Sequence, residues 1–259
     1  MRVKLFICFI LILFFEIKVQ STENTDLIKK YKFFIDKLPD TDICMILYAK
    51  SEYSSLLQNN KNLSESVFRI FLEKYYKIIK SVRVYDEHKL KDNGVLLKES
   101  EGHRYLEYDY VFLYEMIRDR NFEIKKYIEF MILESQEKIG EDGGLFISWE
   151  NLRERILRWE TFAQTNPELE ETKSVIIPEI KKLFKWYICG LDNTRIYKFK
   201  TKKLSIQLKK SYETFLKKNL KSGNYDLMKK LNNLYSSSNL VITDEIKKYL
   251  SEKGYRIIF

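Results

Sequence analysis

Apolar residues recur at helical spacing along most of the chain. Leu27, Tyr31, Phe34, Ile35 and Leu38 stand three, four and seven apart and predict an amphipathic helix that Pro39 closes. Residues 41–59 and 64–84 repeat the pattern, with Val67, Ile70, Phe71, Tyr75, Ile78 and Ile79 along one side of the second. The stretch from Asp86 to His103 holds Gly94 and Gly102 and reads as a connecting segment. Residues 104–139 lack Gly and Pro, and carry apolar faces through Tyr110, Leu113, Tyr114, Ile117, Ile124, Tyr127, Ile128 and Met131, with a break near Arg120-Asn121. Gly140–Gly144 is the strongest punctuation and the expected domain boundary. Ser148 is placed to cap a helix bearing Leu152, Ile156, Trp159 and Phe162. Asn166-Pro167 predicts the start of another helix, running to about Gly190 with a kink at Pro178. Further helices are expected near 198–221, 224–236 and 243–253, the last capped by Thr243. Period-two alternation is confined to weak strand candidates at Glu107–Phe112 and Ile196–Phe199. The expected fold is all-α, a bundle or array of about nine or ten amphipathic helices. Alanine occurs only at positions 49 and 163, so the helices must be held by packed Leu, Ile, Phe and Tyr rather than by propensity.

The chain begins Met1-Arg2-Val3-Lys4, followed by eleven apolar residues from Leu5 to Phe15. That run is too short for the roughly 20 residues of a membrane-spanning helix. A basic start, a short apolar centre and the small-residue site Val19-Gln20-Ser21 are the parts of a cleaved secretory signal, assigned to residues 1–21. Residues 22–139 then form an N-terminal helical region and 145–259 a C-terminal one, and export of the product is expected. Export makes the Asn62-Leu63-Ser64 sequon a candidate glycosylation site at Asn62, unless Ser64 serves only to cap the following helix. It also makes Cys44 and Cys189 an expected disulfide, with two buried free thiols as the alternative.

Charge changes this picture. The chain holds 46 Lys+Arg and 37 Asp+Glu, a net of +9. Residues 181–259 alone hold 19 against 6, a net of +13, and the excess is almost all lysine. On a continuous helix over 198–221, Lys203, Lys210, Lys217 and Lys221 fall near one line, opposite Leu204, Leu208, Tyr212 and Phe215. Lys198, Lys200, Lys202, Lys209 and Lys218 flank that ridge. A second basic group, His88, Lys89 and Lys91 within Glu87–Asp92, has the x-B-B-x-B-x pattern used to flag heparin-binding segments. The expected partner is a sulfated glycosaminoglycan or another polyanionic surface, such as an anionic membrane. Export disfavours nucleic acid, and lysine point charges suit nonspecific contacts better than bidentate recognition. No nucleophile elbow, phosphate loop or metal-ligand spacing is found, so no enzyme, metal or cofactor is expected.

The signal-like start, the Lys/Ile/Tyr/Phe-heavy helices and the basic segments 87–92 and 198–221 together resemble microsporidian spore-wall proteins, which are small, exported, helical and bear heparin-binding motifs. The resemblance is of type and covers the whole chain loosely. It implies a non-enzymatic wall component that adheres to host sulfated glycans, with other wall proteins as further partners. A peripheral protein on anionic lipid and a secreted host-directed parasite effector are the alternatives. For the last, the exported-protein signal Arg-x-Leu-x-Glu/Gln/Asp has its nearest match at Arg104–Tyr108, which ends in the wrong residue.

Overall fold

Helix α3, Glu65–Ser81, shows how the pattern becomes structure. Ser64 accepts a hydrogen bond from the Ser66 amide and starts it, and Val67, Phe68, Phe71, Leu72, Tyr75, Ile78 and Ile79 are buried along one side. The computed structural model describes residues 25–60, 64–83 and 85–258; the signal segment and Asn62 lie outside them. The described residues are all-α, 61% helical with eleven helices and a few short strands. No helix among the described residues is long and apolar enough to cross a membrane.

The chain divides into two compact units between Ile132 and Leu133, inside a helix rather than at the expected Gly140–Gly144 loop. In the first unit, α1 (residues 25–37) ends one residue before Leu38-Pro39, and α2 spans Met45–Asn59. A run of rings joins them to α3: Tyr31, Tyr53, Phe68, Phe71 and Tyr75 lie 5.8–6.5 Å apart in sequence of contact. The short α4, Glu87–Leu90, and strand β1, Val95–Ser100, occupy the region Asp86–His103 expected to be a simple connector, and strand β2, His103–Tyr108, runs on from it, meeting the strand candidate Glu107–Phe112 only at Glu107-Tyr108. The strands pair antiparallel around Glu101 (φ 53°) and Gly102 (φ 76°). Both turn residues are left-handed, as a two-residue hairpin turn requires. Helices α5, Tyr110–Ile117, and α6, Ile124–Ser135, flank the expected break at Arg120-Asn121.

The second unit is built on α7, Trp149–Thr165, and α8, Ile177–Cys189. Ser148 caps α7 through the Asn151 amide, at 3.1 Å. Asn166 closes α7 instead of opening the next helix. That helix begins near residue 170 and passes through a π-turn, Thr172–Ile176, before α8. Pro178 has no N–H to return to the preceding turn, which accounts for a wider turn where a kink was expected. Glu134, buried, accepts from Arg155 Nε and Arg158 Nε at 2.5 Å each and from the Trp159 indole at 2.6 Å, tying the end of α6 to α7. Strands β3, Gly140–Glu141, and β4, Gly144–Leu145, form a small hairpin around Asp142 and Gly143. After α8 come β5, Tyr197–Lys198, and β6, Lys203–Leu204, then α9, Ile206–Lys218, α10, Tyr225–Ser237, and α11, Asp244–Glu252. Thr243 caps α11 through the Ile246 amide. The expected disulfide is not formed: Cys44 and Cys189 are both free. Cys189 is fully buried in the second unit's core, where burial pushes its thiol up to about 11 and leaves it an inert small apolar group.

Candidate polyanion-binding surface

The continuous basic helix expected over 198–221 does not exist. Residues 197–204 are a β-hairpin, Ser205 caps α9 through the Leu208 amide, and Asn219 ends it. Lys203 therefore stands in β6, half-buried, and Lys221 lies beyond the helix, so the four-lysine ridge is broken. Only Lys210 and Lys217 of that ridge share a helix face. The apolar side was read correctly in part: Leu208, Tyr212 and Phe215 are buried on α9, and Leu204 is buried from β6. The physical reason for the break is local. Tyr197 and Leu204 need to face inward while Lys198 and Lys203 pair beside them, a demand of period two that a helix cannot meet.

The basic residues instead form two groups in the second unit. The first is the β5–β6 hairpin with Arg195 ahead of it. Lys198 and Lys200 are exposed, and Phe199, between them, is 63% exposed. The Lys202 ammonium sits 4.6 Å from the Phe199 ring centre and 5.1 Å from that of Tyr197. The Arg195 guanidinium lies 5.2 Å from Phe199. Such cation–ring contacts contribute about 0.5–1 kcal/mol each at exposed sites. Lys202 is left-handed (φ 54°), a conformation costing a side-chain-bearing residue about 1–2 kcal/mol. Its backbone is held from both sides: its amide donates to Lys198 O at 2.9 Å, and its carbonyl accepts from the Ile242 amide at 3.0 Å.

The second group is the end of α9. Lys217 and Lys218 occupy its last turn, where the helix dipole favours cations, and Lys221 follows, all exposed. Lys210 is exposed two turns before Lys217 on the same face, while Lys209 pairs with Glu213 at 3.6 Å. The helix is pinned from beneath: Tyr212 donates to Tyr187 O at 3.1 Å, and Ser211 meets the Tyr187 hydroxyl at 2.8 Å.

The Gly140–Gly144 turn braces the approach to the hairpin. The Asn193 amide donates to Gly143 O at 2.8 Å, and the Leu145 amide to Thr194 Oγ1 at 2.9 Å. Gly190 (φ 81°) lets the chain turn sharply off α8; a Cβ there would meet Thr194 O at 3.0 Å. The site thus rests on ordered supports.

His88, Lys89 and Lys91 belong to the first unit, at and just past the single-turn α4, and all are exposed. Asp86 caps that turn and lies 4.0 Å from Lys89, and Glu87 pairs with Arg104, so acids interrupt this basic group. Arg195 and Phe199 were missed by counting lysines. The signal that marks them is the run 193–212, which carries seven cations and no Asp or Glu. Comparison with family models, with curated proteins and with solved structures returned no match.

Proposed function

We propose that this is a secreted, non-enzymatic structural or adhesive protein that binds sulfated glycosaminoglycan through the basic surface of its second unit, as a spore-wall-type component would. The observation that carries the reading is the acid-free run 193–212, displayed on a braced hairpin and the start of a pinned helix. Exposed ammonium groups lose little hydration on meeting a polyanion and gain by displacing its condensed counterions. The expected outcome is retention on a heparin column that falls steeply with salt. Replacing Lys198, Lys200, Lys217, Lys218 and Lys221 with Glu, all exposed positions, should abolish most retention and leave the helical circular-dichroism signal unchanged. Elution of that variant at the parent's salt concentration would sink the proposal.

A peripheral role on anionic lipid is the second reading. It is favoured by Phe199, Ile206 and Leu220, which are 63%, 59% and 68% exposed among the lysines. The flat basic helix first expected to lie on the bilayer is not available to it.

A further inference from the structure

Lys202 closes the turn of the β5–β6 hairpin, as Glu101 and Asp142 stand in the turns of the other two. Its backbone takes the left-handed region that favours glycine. The chain around it is nevertheless fixed by a ladder that reaches beyond the hairpin: Leu204 N to Leu240 O at 2.8 Å, Ile242 N to Lys202 O at 3.0 Å, and a bridge between Lys203 and Val241. The side chain follows suit, because rings of Tyr197 and Phe199 hold the ammonium near them. Arg195 reaches the same Phe199 ring. The two cationic centres, 4.6 and 5.2 Å from one ring centre, therefore lie within about 10 Å of each other.

We infer that the hairpin tip is a sulfate-recognising clamp: Arg195 and Lys202, set around Phe199, grip sulfate esters of a saccharide chain, while the lysines at the end of α9 supply only long-range attraction. This rests on the glycosaminoglycan reading and adds its recognition element. A guanidinium presents paired N–H donors that match two oxygens of a tetrahedral anion, which an ammonium cannot do. Holding both cations in place removes much of the rotamer entropy that free lysines lose on binding. The exposed part of Phe199 offers an apolar surface to the C–H faces of a sugar ring.

The test uses the purified chain, heparin, de-sulfated heparin of the same length, and vesicles of phosphatidylcholine with and without phosphatidylserine. Lys202→Gly is the informative variant, since glycine suits the backbone there and its circular-dichroism signal should match the parent's. Lys202→Gly and Arg195→Gln should each weaken heparin binding about five- to tenfold, and together bring it near the level of de-sulfated heparin. The triple variant Lys217→Gln, Lys218→Gln, Lys221→Gln should lose less than either, although it removes more charge. If the triple variant loses more than the hairpin variants, affinity follows charge alone and the clamp is wrong while the glycan reading stands. If the parent does not bind heparin at all, the glycan reading itself fails. Tighter binding to phosphatidylserine vesicles than to heparin, lost in Phe199→Ser, would overturn the clamp in favour of lipid insertion.

Discussion

At the scale of single residues, buried polar groups set the terms on which the second unit folds. Glu160 is 7% exposed. Its Oε1 accepts from Ser222 Oγ at 3.0 Å and Asn224 Nδ2 at 2.7 Å, which ties α7 to the turn before α10. Its other oxygen is buried without a partner. Burial raises the carboxyl above its ordinary range, and the two hydrogen bonds pull it part of the way back. A raised acid in the folded state means that the native protein holds a proton the unfolded chain releases. Stability from this group is therefore greatest below the unfolded value and falls as pH rises through the raised one. Glu160→Gln keeps an acceptor for Ser222 and Asn224 and removes the charge. It also places an amide group where the second oxygen has no partner, so the test is the pH dependence: the substitution should be more favourable at pH 7 than at pH 4, because only the ionised carboxyl carries the cost of burial. Denaturant melts at the two pH values check this; an equal effect at both would show that the carboxyl is not the cause. Lys74 shows the opposite arrangement. It is buried and meets Asp40 at 2.6 Å, while Lys77 reaches the other Asp40 oxygen at 2.6 Å. Those two donors hold the Asp40 carboxyl below its ordinary range.

At the scale of elements, several helices were legible where apolar spacing and a capping residue coincided, although Asn166, expected to open a helix, closes α7 instead. Ser64, Ser148 and Thr243 each start a helix through an amide they accept from. Ser148→Ala should accordingly cost about 1 kcal/mol by loss of the α7 cap, measured as a lower unfolding midpoint, with heparin retention unaltered. A loss of retention equal to that of the charge variants would mean that α7 takes part in the site. Hairpins were not legible, and the reasons are physical. The Glu101-Gly102 turn lacks the Asn-Gly or Asp-Gly pair that marks such turns most clearly, so β1 reads as connector and β2 merges with the stretch of apolar faces that follows it. Over 197–204 the alternation at Ile196–Phe199 did point to β5, but strands of two residues each are too short to outweigh the helical spacing over 198–221. The left-handed state of Lys202 carries no glycine to mark it; the turn bond to Lys198 O and the Ile242 amide, forty residues on, hold it. The basic character of this surface was thus legible in its charge, and its shape was not.

At the scale of the whole molecule, the charge asymmetry lies inside one unit. Residues 133–180 hold 5 Lys+Arg against 11 Asp+Glu, and residues 181–259 hold 19 against 6, so the second unit is polarised along its sequence. An unfolded chain keeps that sequence and would attract heparin too. Linkage separates the two cases: a ligand stabilises the fold only by the excess of its affinity for the native state over the unfolded one. If composition alone drives binding, heparin should leave the melting temperature unchanged or lower it. If the braced hairpin and pinned helix gather the cations as described, heparin should raise it by a few degrees Celsius at low salt. The rise should vanish as added salt screens the site and should be reduced in Lys202→Gly, whose composition is almost that of the parent. Thermal melts followed by circular dichroism, with and without heparin across a salt series, give the answer. A downward shift at low salt in the parent would mean that the fold adds nothing to what the lysines do as a bare chain.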